Sequence, residues 1–135
     1  MSNKKVIILV LIILFIGGCS SQKVKECSSD DIVSSDFNLQ ISNTGSMLPT
    51  LDDTNKLYFR YINSIENIKV NDIILFKTSF IWNNYTGASD RVHRIVKIGY
   101  DNEGWYAITK GDNIKENDGG VRRFEDIKGV LICKK

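Results

Sequence analysis

The chain has 135 residues, 42% hydrophobic and 25% charged, with a formal net charge of +2 from 18 basic and 16 acidic side chains. That length supports one modest core and not two. Lys4 and Lys5 account for the positive excess, so residues 19–135 are formally neutral, and no stretch interleaves aromatics with clustered Arg and Lys, which argues against nucleic-acid binding.

Lys4 and Lys5 precede an apolar run from Val6 to Ile16 that ends in Gly17-Gly18-Cys19-Ser20-Ser21. Basic start, short apolar stretch and small residues make the outline of a signal peptide over residues 1–18. As a helix, Val6–Gly18 measures about 20 Å against a hydrocarbon core of about 30 Å, short for a stable span. Ile16-Gly17-Gly18-Cys19 resembles a lipobox, which makes Cys19 the candidate lipidation site; an uncleaved membrane anchor is the other reading. Either way, the positive-inside bias keeps the two lysines cytoplasmic and puts the rest on the outer side of the cell membrane.

Residues 19–36, rich in Ser, Lys and Asp, read as a tether, and residues 37–135 as the folded domain. Short alternating or apolar runs follow at Phe37–Ile41, Lys56–Ile62, Asp72–Lys77, Arg91–Ile98, Trp105–Thr109 and Lys128–Cys133, separated by turn-type clusters. Asp101-Asn102-Glu103-Gly104 is the clearest hairpin signal. Strands dominate, so an all-β antiparallel barrel or sandwich is expected, with one helical turn starting near Met47. Ser79–Gly87 reads as a loop of unusual aromatic content, suited either to membrane contact or to packing at a strand end.

Three segments carry candidate chemistry. Ser42-Asn43-Thr44-Gly45-Ser46-Met47-Leu48-Pro49-Thr50-Leu51 lies outside any helical or alternating pattern; Gly45 permits a tight bend and Pro49, the only proline, fixes φ after the serine. A serine needs a base to take its proton and a group to orient that base. The only histidine, His93, sits in the β-branched run Arg91–Ile98, with Val92, Val96 and Ile98 on one strand face and His93 on the other, away from the main apolar side. The third segment, Ile108-Thr109-Lys110-Gly111-Asp112-Asn113-Ile114-Lys115-Glu116-Asn117-Asp118, is a strand end running into a polar turn with two aspartates. One histidine and scattered cysteines make no metal site, and no cofactor loop is expected.

Taken in order, Gly-Ser-Met-Leu-Pro-Thr, Val70-Asn71-Asp72-Ile73-Ile74-Leu75-Phe76, Val-His-Arg-Ile and Lys-Gly-Asp-Asn followed by Asp118 resemble the type I signal peptidases of the archaeal and endoplasmic-reticulum branch, over roughly residues 39–132. Asn71 stands where the family usually has Gly. The resemblance implies the small coiled β-barrel core of that family and an acyl-transfer mechanism. It implies Ser46 as nucleophile, His93 as base and Asp118 as the acid orienting it, with Asp112 ranked second and more plausible as a support. It further implies Thr44, Gly45 and Met47 on the oxyanion and substrate-binding side, Thr44 replacing a serine whose hydroxyl donates to the oxyanion. Lys97 and Lys110 are the rival bases. The partners implied are signal peptides of exported proteins, cleaved after small residues. A maturation protease for a few surface or pilin-like clients and a catalytically idle binding lipoprotein are the alternatives. With Cys19 lipidated, Cys27 and Cys133 remain as an even pair that can form a disulfide outside the cytoplasm.

Overall fold

The computed structural model describes residues 23–82 and 85–135. Residues 1–18, read as a signal peptide or membrane anchor, and Cys19, the candidate lipidation site, lie outside them. Six strands form one antiparallel sheet: β1 (Phe37–Gln40), β2 (Lys56–Arg60), β3 (Ile73–Trp82), β4 (Tyr85–Asp101), β5 (Gly104–Lys110) and β6 (Ile127–Lys134), in the order β1-β2-β6-β3-β4-β5. The all-β class therefore holds. The sheet is open, with β1 and β5 at its ends, rather than closed into a barrel.

β3 explains the architecture. Its start, Ile73-Ile74-Leu75-Phe76, is buried at every position, so a strand whose side chains alternate must be covered on both faces. Ile73 and Leu75 join Met47, Leu51, Leu57, Phe59 and Val92 in one apolar cluster, whereas Ile74 and Phe76 join Ile68, Ile95, Ala107 and Ile127 in another. The loop carrying Met47 and Leu51 closes the first face. Register shifts at Tyr58/Phe59, Leu75/Phe76 and Ile95/Lys97 each set an extra residue against the partner strand, which increases local twist and coils the sheet.

Several expectations change here. The segment read as an aromatic loop is the paired tip of a long hairpin, with β3 and β4 in register from Ile73↔Arg94 to Trp82↔Tyr85. Main-chain ladder bonds hold such an arm whatever its side chains. Near Met47 there is a series of turns and no helix. The one α-helix among the described residues, α1 (Ser29–Val33), falls in the segment read as tether; it starts with a capping box in which the Ser28 hydroxyl accepts from Asp31 N–H and the Asp31 carboxylate accepts from Ser28 N–H. Hydrogen bonds from Lys25, then Ser28, pull the Asp31 carboxyl down to about 2.

The described part of that segment is fastened to the domain. Cys27 and Cys133 form a disulfide with Cα atoms 5.0 Å apart, and Cys27 N–H donates to the Lys134 carbonyl at 2.9 Å. Lys134 N–H in turn donates to the Lys25 carbonyl at 3.1 Å. Closing a loop of 106 residues removes about 4–5 kcal/mol of chain entropy from the unfolded state. Reduction of the wild-type protein, or Cys27→Ser with Cys133→Ser, is expected to lower the unfolding free energy by about 2–5 kcal/mol in urea titrations. Alkylation of both thiols without reductant would contradict the pairing.

Candidate active site

The Ser46 loop is bent by Gly45 at φ +68°, a left-handed conformation that glycine adopts without strain. Met47 and Leu51 are buried, so the serine between Gly45 and Met47 is anchored from its C-terminal side by the core. The turn after β5 clamps the other side. Asn113 N–H donates to the Ser46 carbonyl at 2.9 Å, and the Asn113 side-chain amide donates to the Gly45 carbonyl at 3.1 Å. Gly111 makes that approach feasible: a Cβ there would lie 2.7 Å from the Ser46 carbonyl oxygen and 3.2 Å from His93 Nε2.

His93 projects from β4 opposite Ile74 of β3. The sequence put it away from the main apolar face, but this sheet has two apolar faces, and His93 is only 7% exposed, edge-on to Phe76 at 6.2 Å between ring centres. Its Nε2 is 3.1 Å from Ser46 Oγ and its Nδ1 is 2.6 Å from Asp118 Oδ2. The same carboxylate oxygen accepts from the fully buried Thr109 hydroxyl at 2.7 Å, while Asp118 N–H donates to the Thr109 carbonyl. Burial pushes the Asp118 carboxyl up, yet the hydrogen bonds from His93 and Thr109, aided by the charges of His93 and Arg122, outweigh it and hold the group below its ordinary value. An ionised Asp118 has no proton to give, so Nδ1 carries one and Nε2 is left to accept from the Ser46 hydroxyl.

Asp112, the second acidic candidate, does not touch the histidine. It takes a two-pronged contact from Arg94, Nε to Oδ1 at 2.8 Å and an Nη to Oδ2 at 2.7 Å, and accepts from the Thr50 hydroxyl at 2.5 Å. Arg94 also donates to the Asn71 carbonyl at 2.9 Å, and Asn71 has φ +81°, the left-handed conformation that suits the glycine it replaces. The rival bases lie elsewhere: Lys97 is exposed, and the Lys110 ammonium donates to the carbonyls of Gly111 and Ile114. Thr44 Oγ1 stands 3.2 Å from Ser46 Oγ and 3.5 Å from Ser46 N, beside the atom that would attack.

A cavity of about 670 Å³ opens over these groups. Its apolar lining includes Leu39, Ile41, Met47, Leu75 and Val92, and its polar lining includes Gln40, Ser42, Asp90 and Arg91. Among the described residues it lies between two strand edges, since β1 pairs only with β2, and β4 pairs with β5 only from Arg94 onward. Among the described residues no group of three or more His, Cys, Asp or Glu side chains could hold a metal ion. Thr109, Arg94, Gly111 and Asn113 were not singled out by sequence; the Lys-Gly-Asp-Asn motif contained two of them without showing what they touch.

The Asp112 contacts generate a pH-dependent prediction. Burial pushes this carboxyl up first, but hydrogen bonds from Arg94 and Thr50 and the charges of Arg94 and Lys110 bring it below 3.8. Its contribution to stability is therefore complete above that value and is lost as pH falls through the lower, folded-state value. Asp112→Asn is expected to lower the unfolding free energy by about 2 kcal/mol at neutral pH. The gap between variant and wild type should close in strong acid; an equal gap at both pH values in urea titrations would contradict this account.

Comparison of the chain with protein-family models, curated proteins and solved structures finds no match.

Proposed function

We propose that this chain is a membrane-anchored serine endopeptidase of the type I signal peptidase kind, with its catalytic domain on the outer side of the cell membrane. The observation that carries the reading is the line Ser46 Oγ, His93 Nε2, His93 Nδ1, Asp118 Oδ2, with steps of 3.1 and 2.6 Å across the hydrogen-bonded pairs. It unites side chains from a loop, a strand and a turn, and a nucleophile, base and orienting acid need that order.

In this reading Ser46 Oγ attacks a peptide carbonyl carbon as its proton passes to His93 Nε2. Asp118 holds the imidazole in the tautomer that can accept it and stabilises the imidazolium that results. The Thr44 hydroxyl and the Ser46 N–H are the donors for the tetrahedral oxyanion. His93 then protonates the leaving amine, an acyl-enzyme forms on Ser46, and water, deprotonated by His93, releases the new carboxylate. An extended substrate fits the cavity because both flanking strand edges offer free main-chain groups, so that it can bind as an added strand. The coiled sheet, in the same reading, is the family's catalytic core. Small residues before the cleaved bond are the expected preference. With a lipid on Cys19, the Cys27 disulfide would keep the domain close to the membrane, because the eight steps from Cys19 to Cys27 span at most about 28 Å.

The test is cleavage of a secretory precursor with alanine at the −1 and −3 positions by the full-length protein in detergent micelles. Ser46→Ala and His93→Ala are expected to lower kcat by about a thousandfold or more, and Asp118→Asn by about a hundredfold or more. Gly111→Ala, which drives a methyl against the Ser46 carbonyl, should cost at least about tenfold, since misplacement by about 1 Å already costs more than that. Full activity in His93→Ala with loss in Lys97→Ala or Lys110→Ala would refute the assignment of the base. A folded protein that cleaves no precursor would turn the reading toward a binding lipoprotein.

A further inference from the structure

We infer that Arg91 is a specificity residue of the cavity, its guanidinium selecting peptides that carry an aspartate or glutamate close to the cleaved bond. This rests on the peptidase reading. β4 is extended at this point, so Arg91 and His93 leave the same face of the strand about 7 Å apart along it. Both line the cavity that holds Ser46, and across the ladder they stand opposite Phe76 and Ile74.

Among the described residues, the charged side chains that line the cavity are paired, with one exception. Asp118 is engaged by His93, and Asp90 holds the Lys128 ammonium at 2.7 Å. Arg94, three residues farther along β4, is committed to Asp112. Arg91 is exposed and has no ion-pair or hydrogen-bond partner among the described residues. A planar donor fork without a counter-ion, in a cavity lined by both apolar and polar side chains, favours a carboxylate that can meet it through two hydrogen bonds. The strand edge supplies the means of delivery. Residues 85–93 of β4 pair with β3 and not with β5, so a peptide added along that edge brings alternate side chains within about 4.5–5.5 Å, Cβ to Cβ, of the residues on the Arg91 face. Where on the peptide the acid sits is read by scanning it.

The experiment offers the full-length protein in detergent micelles a set of peptides with Asp, Asn or Lys at each of several positions on either side of the cleaved bond. At one position Asp is expected to raise kcat/KM about tenfold over Asn, with Lys below both, and the preference should shrink in high salt. Arg91→Gln should level Asp with Asn, and Arg91→Glu should invert the order in favour of Lys. Ser46-dependent cleavage without an acidic preference, or a preference that survives Arg91→Glu, would overturn the inference while leaving the peptidase reading intact. Binding of the same peptides to Ser46→Ala, read by fluorescence anisotropy, separates the two further. Tighter binding of the Asp peptide that is lost on adding Arg91→Glu supports the role of Arg91 even without turnover, and equal binding of all three peptides sinks it. Absence of any Ser46-dependent cleavage counts against the peptidase reading alone.

Discussion

One carboxylate ties together the three parts of the chain that form the site. Asp112 receives Arg94, the neighbour of His93 on β4, and Thr50, four residues beyond Ser46, and it lies in the same turn that ends at Asp118. The Ser46 loop, the His93 strand and the Asp118 turn are thus cross-linked through a group that is itself only partly exposed. Burying such a charge is unfavourable unless it is paired and hydrogen-bonded, and here the bonds from Arg94 and Thr50 more than offset the desolvation. The Asp112 cross-link thus braces from a second side the same three segments that the Ser46–His93–Asp118 line joins.

The second support is steric. The turn after β5 presses against the Ser46 loop at Gly111, where there is no room for a Cβ, and Asn113 then pins the Gly45 and Ser46 carbonyls. Behind His93 the sheet supplies a buried wall of Ile74 and Phe76, over whose ring the Arg122 guanidinium sits at 5.1 Å. The imidazole is therefore held by its edge-on contact with Phe76 as well as by two hydrogen bonds. A side-chain geometry placed on strands and braced turns is held more tightly than one carried by free loops, because rigid elements limit the rotamers available.

The core and the termini are linked by the same logic of covering exposed edges and faces. β6, in the middle of the sheet, carries Cys133 into the interior, and the disulfide to Cys27 draws the segment before α1 against its end. Lys134 next to it donates to the Thr50 carbonyl at 3.1 Å. The fastening of the segment before α1 and the back of the Ser46 loop thus depend on adjacent residues of one strand.

The six strands were legible because β-branched and aromatic runs bounded by turn residues can bury themselves only as strands, and each observed strand overlaps its expected run. The order of Ser46, His93 and Asp118 was also visible in the chain, as was the even pair Cys27 and Cys133. The hairpin tip was misread because its Asn and Gly residues signal a turn over a wider stretch than the turn occupies, and main-chain pairing leaves no mark in side-chain pattern. The five-residue α1 is too short for a helical period to register. What the amino-acid order determined by itself was the local propensity and the stock of reactive groups. Only the tertiary structure decided that His93 is buried, that Asp118 and not Asp112 meets it, and that Arg94, Thr109 and Gly111 belong to the site. Those outcomes depend on contacts between residues far apart in sequence, and such contacts are set by sheet register and by which faces the loops cover.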